Sequence, residues 1–264
     1  MTQKILFFDL DGTIMLDLNT VDPHVIDLVR IARANGHKCF VCTSRGEIAI
    51  PQVLKDCMDG YIALSGGRCF VDRKLIHDGC LPQEHSQAVI QYCAANNIIT
   101  LTEGRDNIIF IAYDDAAATQ DERDMLPYIT HFFNSYEEFM ASDASKDVYK
   151  FSITKKRLPI FRQCSIIANG TLSLVNAGFG WYEIMGDFSK RDGILRTLAY
   201  IRADQDQTIC FGDSDNDIPM FETCKYGVAV ANALDSLKSR ASFVATAPHG
   251  LGIEQAMRHY GVVG

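Results

Sequence analysis

Several features are scarce or missing in this 264-residue sequence, and each absence narrows what the chain can be. No apolar stretch approaches the roughly 20 residues that a membrane-spanning helix needs, which argues against a membrane protein of that kind. Positive charge is in deficit: Lys+Arg number 25 against 33 Asp+Glu, for a formal net charge of −8. A general nucleic-acid binder needs a basic face to neutralise phosphates, so that class is disfavoured. A small anionic substrate stays compatible, because a few local cations and a metal can reverse the field inside a cleft. The start of the sequence lacks a charged-then-apolar secretion signal, and the expected location is the cytoplasm. The seven histidines show no metal-ligand spacing. Internal repeats and low-complexity segments are also missing, and nothing here fixes an oligomeric state.

What is present describes a folded protein. Hydrophobic residues make up 47% and charged residues 22%, enough to bury a core in one large domain or two ordinary ones. The nine cysteines are odd in number and scattered, as expected for reduced thiols. Cys39 and Cys42 have CxxC spacing, yet they lie in KCFVCT, an apparent strand, where residues three apart point to opposite faces. The pair therefore reads as structural.

Lys4–Leu10 is the first expected strand, and its unbroken apolarity implies burial on both faces, as in a parallel sheet. Asp22-Pro23 opens a helix, Val25, Leu28, Val29 and Ala32 recur at helical spacing, and Gly36 ends it. Residues 38–43 form the next strand, which completes a strand–helix–strand unit. The rhythm returns in a helix through Ile194–Ile201, strands at 208–212 and 226–231, a short one near 242–245 and a last helix through Ile253–Tyr260. The middle differs. Gln83–Ala95 reads as helical, 98–101 and 107–113 as strands, and Pro159 as a helix start. VYKFSIT (148–154) and TLSLVN (171–176) alternate like strands with one exposed face. Gly178-Phe179-Gly180 lacks the rest of a nucleotide-loop fingerprint and reads as a tight turn. The expected organisation is a core of residues 1–81 and 186–264 interrupted by an α+β insertion, 82–185.

Four chemically loaded segments fall at strand ends or a helix start: Asp9-Leu10-Asp11-Gly12-Thr13, Thr43-Ser44-Arg45, Lys190 and Gly212-Asp213-Ser214-Asp215-Asn216-Asp217. In an open parallel sheet the strand C-termini share one edge, where ligands bind. Convergence of Asp9, Asp11, Asp213 and Asp217 there would be unfavourable, since two charges ~5 Å apart repel by roughly 3 kcal/mol at an effective dielectric near ~20. Oxygen-only ligands call for a hard cation, and a site with room for phosphate oxygens favours Mg²⁺. A hydroxyl and a lysine beside it suit phosphoryl transfer.

These segments, in this order, resemble the motifs of haloacid-dehalogenase-superfamily phosphatases of the Cof type. DLDGT, the Thr-x-Arg segment, Ser189-Lys190 before a helix, and GDSDNDIPMFETCKYGVAVANA match at both ends of the chain. The unmatched middle is where that subfamily inserts its cap. The resemblance implies an α/β, Rossmann-like core with a mainly parallel sheet plus an inserted α+β cap, acting on a small phosphorylated substrate. It implies Asp9 as nucleophile and Asp11 as general acid, then base. Mg²⁺ would be held by the Asp9 carboxylate, the Asp11 main-chain carbonyl and the Asp213 carboxylate, with Asp217 holding a water on the metal. Thr43 and Lys190 would bind phosphoryl oxygens, assisted by Asn216 and Ser44. Glu103, Arg105, Asp106, Trp181 and Tyr182 are cap candidates for facing the substrate, with no choice among them. Two alternatives stay open: a phosphomutase using the same nucleophile, and a phospho-aspartate signalling or binding protein.

Overall fold

The computed structural model describes residues 2–264 except Phe179 and Asp187. The expected turn at Gly178-Phe179-Gly180 therefore lies partly outside the described residues. Five strands come first: β1 (Ile5–Phe8), β2 (Lys38–Cys42), β3 (Gly60–Ala63), β4 (Arg68–Val71) and β5 (Lys74–Asp78). Six follow: β6 (Thr100–Gly104), β7 (Ile108–Ile111), β8 (His131–Phe133), β9 (Val148–Thr154), β10 (Ser173–Gly178) and β11 (Trp181–Met185). Then come β12 (Thr208–Gly212), β13 (Tyr226–Ala229) and β14 (Phe243–Val244).

The chain divides into two compact units. One comprises Met1–Arg45, Ala49–Asp78 and Phe188–Gly264; the other comprises Gly46–Ile48 and Gly79–Asp187. The first unit holds an eight-stranded sheet in the order β14-β13-β12-β1-β2-β3-β4-β5. Its strands are parallel from β14 to β3, and β4 and β5 add an antiparallel hairpin at one edge. β1 lies inside the sheet, and Ile5, Leu6, Phe7 and Phe8 are all fully buried. Successive side chains of a strand face opposite ways, so Phe7 and Phe8 serve different faces. Phe7 stacks on Phe40 and Phe8 on Phe211, with ring centroids 5.5 and 4.6 Å apart. Both faces are filled with aromatic packing, which is why the apolar run does not alternate.

Helix Pro23–Ala34 begins as its sequence dictates. The Asp22 carboxylate accepts from His24 N at 2.9 Å, Pro23 takes the first helical position, and Gly36 leaves with φ +88°. The other oxygen of Asp22 accepts from Gly250 N at 2.9 Å, so one carboxylate serves two helix starts, Pro23–Ala34 and His249–His259. Cys39 and Cys42 are buried free thiols, and burial pushes both upward, away from thiolate chemistry.

The second unit holds a six-stranded sheet in the order β10-β11-β9-β6-β7-β8, antiparallel except for the β7–β8 pair. Here one expectation is corrected: β9 has no exposed face, and all seven residues of VYKFSIT are buried. Its polar side chains stay inside because they are neutralised there. The Lys150 ammonium pairs with Glu103 at 2.8 Å and with Glu183, both buried carboxylates on the neighbouring strands β6 and β11. Thr154 donates to Glu122 at 3.2 Å. Polar–apolar alternation thus marks a face whose lysine is held between two buried carboxylates. Among the described residues, no helix is long and apolar enough to cross a membrane.

Candidate active site

The site begins with strand register. β1 and β12 are parallel neighbours with Phe8 opposite Phe211, and Asp9 N continues the ladder by donating to Phe211 O at 3.0 Å. The chain leaves both strands at the same edge, so Asp9 and Asp213 emerge there although about 200 residues separate them in sequence. Asp213 is then fixed from several directions. Its Oδ1 accepts from the Thr13 hydroxyl at 3.1 Å, its N–H donates to Asp217 Oδ2 at 2.9 Å, and its carbonyl accepts from Leu234 N at 2.8 Å.

Lys190 enters from the start of helix Lys190–Ile201. The Asp192 carboxylate caps that start, accepting from Ser189 N at 2.8 Å and Ser189 Oγ at 2.7 Å. The helix also lies close to the sheet: a Cβ on Gly193 would fall 2.4 Å from Ile62 Cγ2. The lysine can therefore reach the acid cluster, and its side chain is only 1% exposed. Its Nζ donates to Asp9 Oδ1 and to Asp217 Oδ1, each at 2.6 Å. Asp217 has donors on both oxygens, because Oδ2 also accepts from Asp213 N and Ser214 N at 2.9 and 3.2 Å.

The remaining candidates surround this contact set. Thr43 follows β2, is buried, donates through its N–H to Ile62 O at 2.9 Å and accepts on Oγ1 from Arg45 N at 3.1 Å. Ser44 follows it and is half-buried. Asn216 lies in the single turn Asp215–Asp217, its Oδ1 accepting from Ser214 Oγ at 2.8 Å. Asp215 faces outward and accepts from Ser236 Oγ at 2.5 Å. Asp11 pairs with Arg45, whose Nε and Nη2 donate to its two carboxylate oxygens at 2.9 and 2.5 Å. Sequence reasoning left Arg45 without a role, and nothing local announces this partner 34 residues away. It also missed the Lys150–Glu103–Glu183 group, of which it singled out Glu103 alone.

Electrostatics tell the same story as geometry. Burial, then the Asp217 charge, holds the Asp9 carboxyl well above the ordinary carboxylate range; Lys190 opposes this, while Asp213 and Asp11 add to it. Burial and Asp217 push Asp213 up to about 7. For Lys190, burial alone would lower the value, but Asp217 and Asp9 outweigh it and the net direction is upward. One ammonium does not offset three carboxylates. Asp9, Asp213 and Asp217, all buried, offer oxygens within 4.8 Å of one another. That all-oxygen donor set with surplus negative charge fits a hard divalent cation.

Comparisons with known proteins agree. A family profile described as haloacid dehalogenase-like hydrolase matches residues 6–257. The pyridoxal phosphate phosphatase YbhA of Escherichia coli (strain K12) is 24% identical over 259 residues, covering 92% of this chain and 93% of its own. The 5-amino-6-(5-phospho-D-ribitylamino)uracil phosphatase YwtE of Bacillus subtilis (strain 168) is 24% identical over 265 residues, covering 91% and 92%. Among solved structures, the HAD subclass IIB sugar phosphatase BT4131 is similar at TM-score 0.82 and 26% identity, covering 99% of this chain and 100% of that one.

Proposed function

Because the chain belongs to the haloacid dehalogenase-like hydrolase family and is a phosphomonoester hydrolase, we propose that it hydrolyses a small phosphorylated metabolite, such as a sugar phosphate, through phosphorylated Asp9. The observation that carries this reading is the buried Lys190 ammonium, 2.6 Å from both Asp9 and Asp217, beside Asp213 at the open edge of a parallel sheet. A nucleophilic carboxylate, a fixed cation and an acidic cation-binding set are what phosphoryl transfer requires.

In the first step an Asp9 oxygen bonds to phosphorus as the bond from phosphorus to the alcohol oxygen breaks, and Asp11 gives that oxygen a proton. In the second, water attacks the phosphorus, Asp11 takes a proton from it, and the Asp9–phosphorus bond breaks to release inorganic phosphate. Lys190 and Thr43, with Asn216 and Ser44, hold the phosphoryl oxygens. The Asp9, Asp213 and Asp217 carboxylates, with the Asp11 main-chain carbonyl, would hold Mg²⁺. When bound, the ion offsets the clustered negative charge and polarises a phosphoryl oxygen. Selection of the alcohol falls to the insertion, residues 82–185.

The test is phosphate release from a panel of sugar phosphates, pyridoxal phosphate, a ribityl phosphate and p-nitrophenyl phosphate. Turnover should appear with Mg²⁺ and fall at least ~100-fold in EDTA, returning when Mg²⁺ is restored. No turnover of any panel member, or full activity in EDTA, overturns the reading. An isomeric phosphate ester in place of inorganic phosphate would mark a mutase.

Gly12 gives a second test. Its φ is +76°, and an added Cβ would lie 2.4 Å from Asp213 Oδ2. Gly12→Ala is expected to lower unfolding stability by about 1–2 kcal/mol from the left-handed backbone alone. It should also weaken Mg²⁺ activation, because Asp213 has to move. Urea denaturation and a Mg²⁺ titration of activity measure the two effects separately.

A further inference from the structure

The acids of the site stand on two loops, residues 9–13 after β1 and 213–217 after β12. A cation shared between two loops binds tightly when they are already in register before it arrives, because less ordering is left for binding to offset. The first loop carries a weak point. Gly12 fits there because a Cβ would strike Asp213, yet glycine is also the residue whose main chain turns most freely. A third segment, residues 230–236 after β13, meets both loops. Val230 N donates to Gly212 O at 3.3 Å, Leu234 N to Asp213 O at 2.8 Å and Ser236 Oγ to Asp215 Oδ1 at 2.5 Å, which ties the segment to the second loop. Its own shape is held by Ala233 N donating to Val230 O at 2.9 Å and Ala231 N to Ala247 O at 3.2 Å. From this mount the Asn232 side chain reaches the first loop, its Nδ2 donating to Gly12 O at 2.8 Å. A main-chain carbonyl only accepts, so the amide meets it with its nitrogen. The other side-chain tie between the two loops, Thr13 Oγ1 to Asp213 Oδ1 at 3.1 Å, uses a carboxylate oxygen of the cation-binding set. The Asn232 bond occupies no carboxylate and falls on the residue that is otherwise freest to turn.

We propose that Asn232 is a positioning residue for the divalent cation, an inference that rests on the metal-dependent reading above. By holding the Gly12 carbonyl, it keeps the loop that carries Asp9 in register with Asp213 and Asp217 before the ion enters. It touches neither the ion nor the phosphoryl group. Its contribution is the rotation it removes from Gly12, and that contribution is felt in how much Mg²⁺ is needed to fill the site.

The experiment follows Mg²⁺ binding through the rise it causes in the unfolding temperature of the metal-free full chain, a readout independent of turnover. Three proteins are compared: the native chain, Asn232→Ala, and Asn232→Leu, which keeps the amide's size without its donor. Both variants should need ~5-fold more Mg²⁺ for the same rise in Tm, the effect of losing one hydrogen bond. Asn232 is exposed, so Tm in EDTA should stay within ~2 °C of the native value. Phosphate release should shift in parallel, with activity lost at limiting Mg²⁺ returning as Mg²⁺ is raised. A native chain that responds to Mg²⁺, with both variants responding at the same concentrations, overturns the role of Asn232 alone. So does a lower Tm in EDTA with an unchanged Mg²⁺ response, which is the signature of a purely structural contact. A native chain with neither a Mg²⁺-dependent rise in Tm nor Mg²⁺-dependent phosphate release overturns the metal-dependent reading and this inference with it.

Discussion

Asp9→Asn is expected to lower kcat by at least ~10³-fold, about 4 kcal/mol of barrier, while leaving the metal-free protein as stable as before or more so. On the proposed mechanism the activity loss follows from removing the side chain that bonds to phosphorus in the first step. The stability effect follows from the surroundings. Asp9 is buried beside Asp217 and Asp213, and burial with these charges holds its carboxyl well above the ordinary range despite Lys190. A carboxyl whose folded value is raised binds protons more tightly in the folded chain than in the unfolded one. Such a group penalises folding above its unfolded value, ~3.9, and the penalty grows until pH passes the folded value. The neutral amide removes that penalty. In EDTA, Tm near neutral pH should hold or rise, with about 2–4 °C for each ~1 kcal/mol relieved. Steady-state kinetics and thermal scans on one preparation check both halves. A stable variant with substantial turnover would remove Asp9 from its role.

Lys190→Met is expected to move both quantities the same way. The ammonium donates to two buried carboxylates, and its side chain is 1% exposed. Taking one partner from a buried ionic group leaves an uncompensated charge and costs about 3–5 kcal/mol. Thermal scanning should register a fall of roughly 10 °C, and kcat should drop by at least ~10²-fold with loss of the cation proposed to hold the phosphoryl group. A second substitution separates the two roles. Lys190→Met with Asp217→Asn removes a charge of each sign and should recover much of the stability without recovering activity. The double-mutant cycle gives the coupling directly. If the pair is no more stable than Lys190→Met alone, the Lys190–Asp217 contact is not what the lysine contributes to the fold.

The sequence was most legible where local pattern and tertiary role coincide. The unbroken apolarity of Ile5–Phe8 announced a strand buried on both faces, and acids after strands at 9 and 213 announced a shared sheet edge. Asp22-Pro23 and Gly36 marked the two ends of one helix. The hairpin β4–β5 was not legible, for a physical reason. Its turn residues Asp72 and Arg73 take φ +47° and +64°, a conformation usually flagged by Asn-Gly, so no turn signal stood in the sequence. β9 misled because alternation cannot distinguish a polar face in solvent from one neutralised internally, as Lys150 is by Glu103 and Glu183. Lys190 taken alone reads as a solvated side chain. Only its carboxylate partners, brought from positions 9 and 217, make burial tolerable. The Arg45 fork on Asp11 joins two loops after different strands and leaves no periodic trace.

The placement of β1 has a consequence for how the chain is made. It precedes every other strand of its sheet in the sequence, yet it lies between β2 and β12, and Ile5 pairs with Thr208. At ~5–20 residues per second on the ribosome, the roughly 200 residues between those partners take about 10–40 s to appear. Throughout that interval the most apolar strand of the sheet has one edge open, the kind of edge that recruits other chains. The nascent segment between β1 and β12 is thus the aggregation-prone species, and its protection depends on Thr208–Gly212 leaving the ribosome.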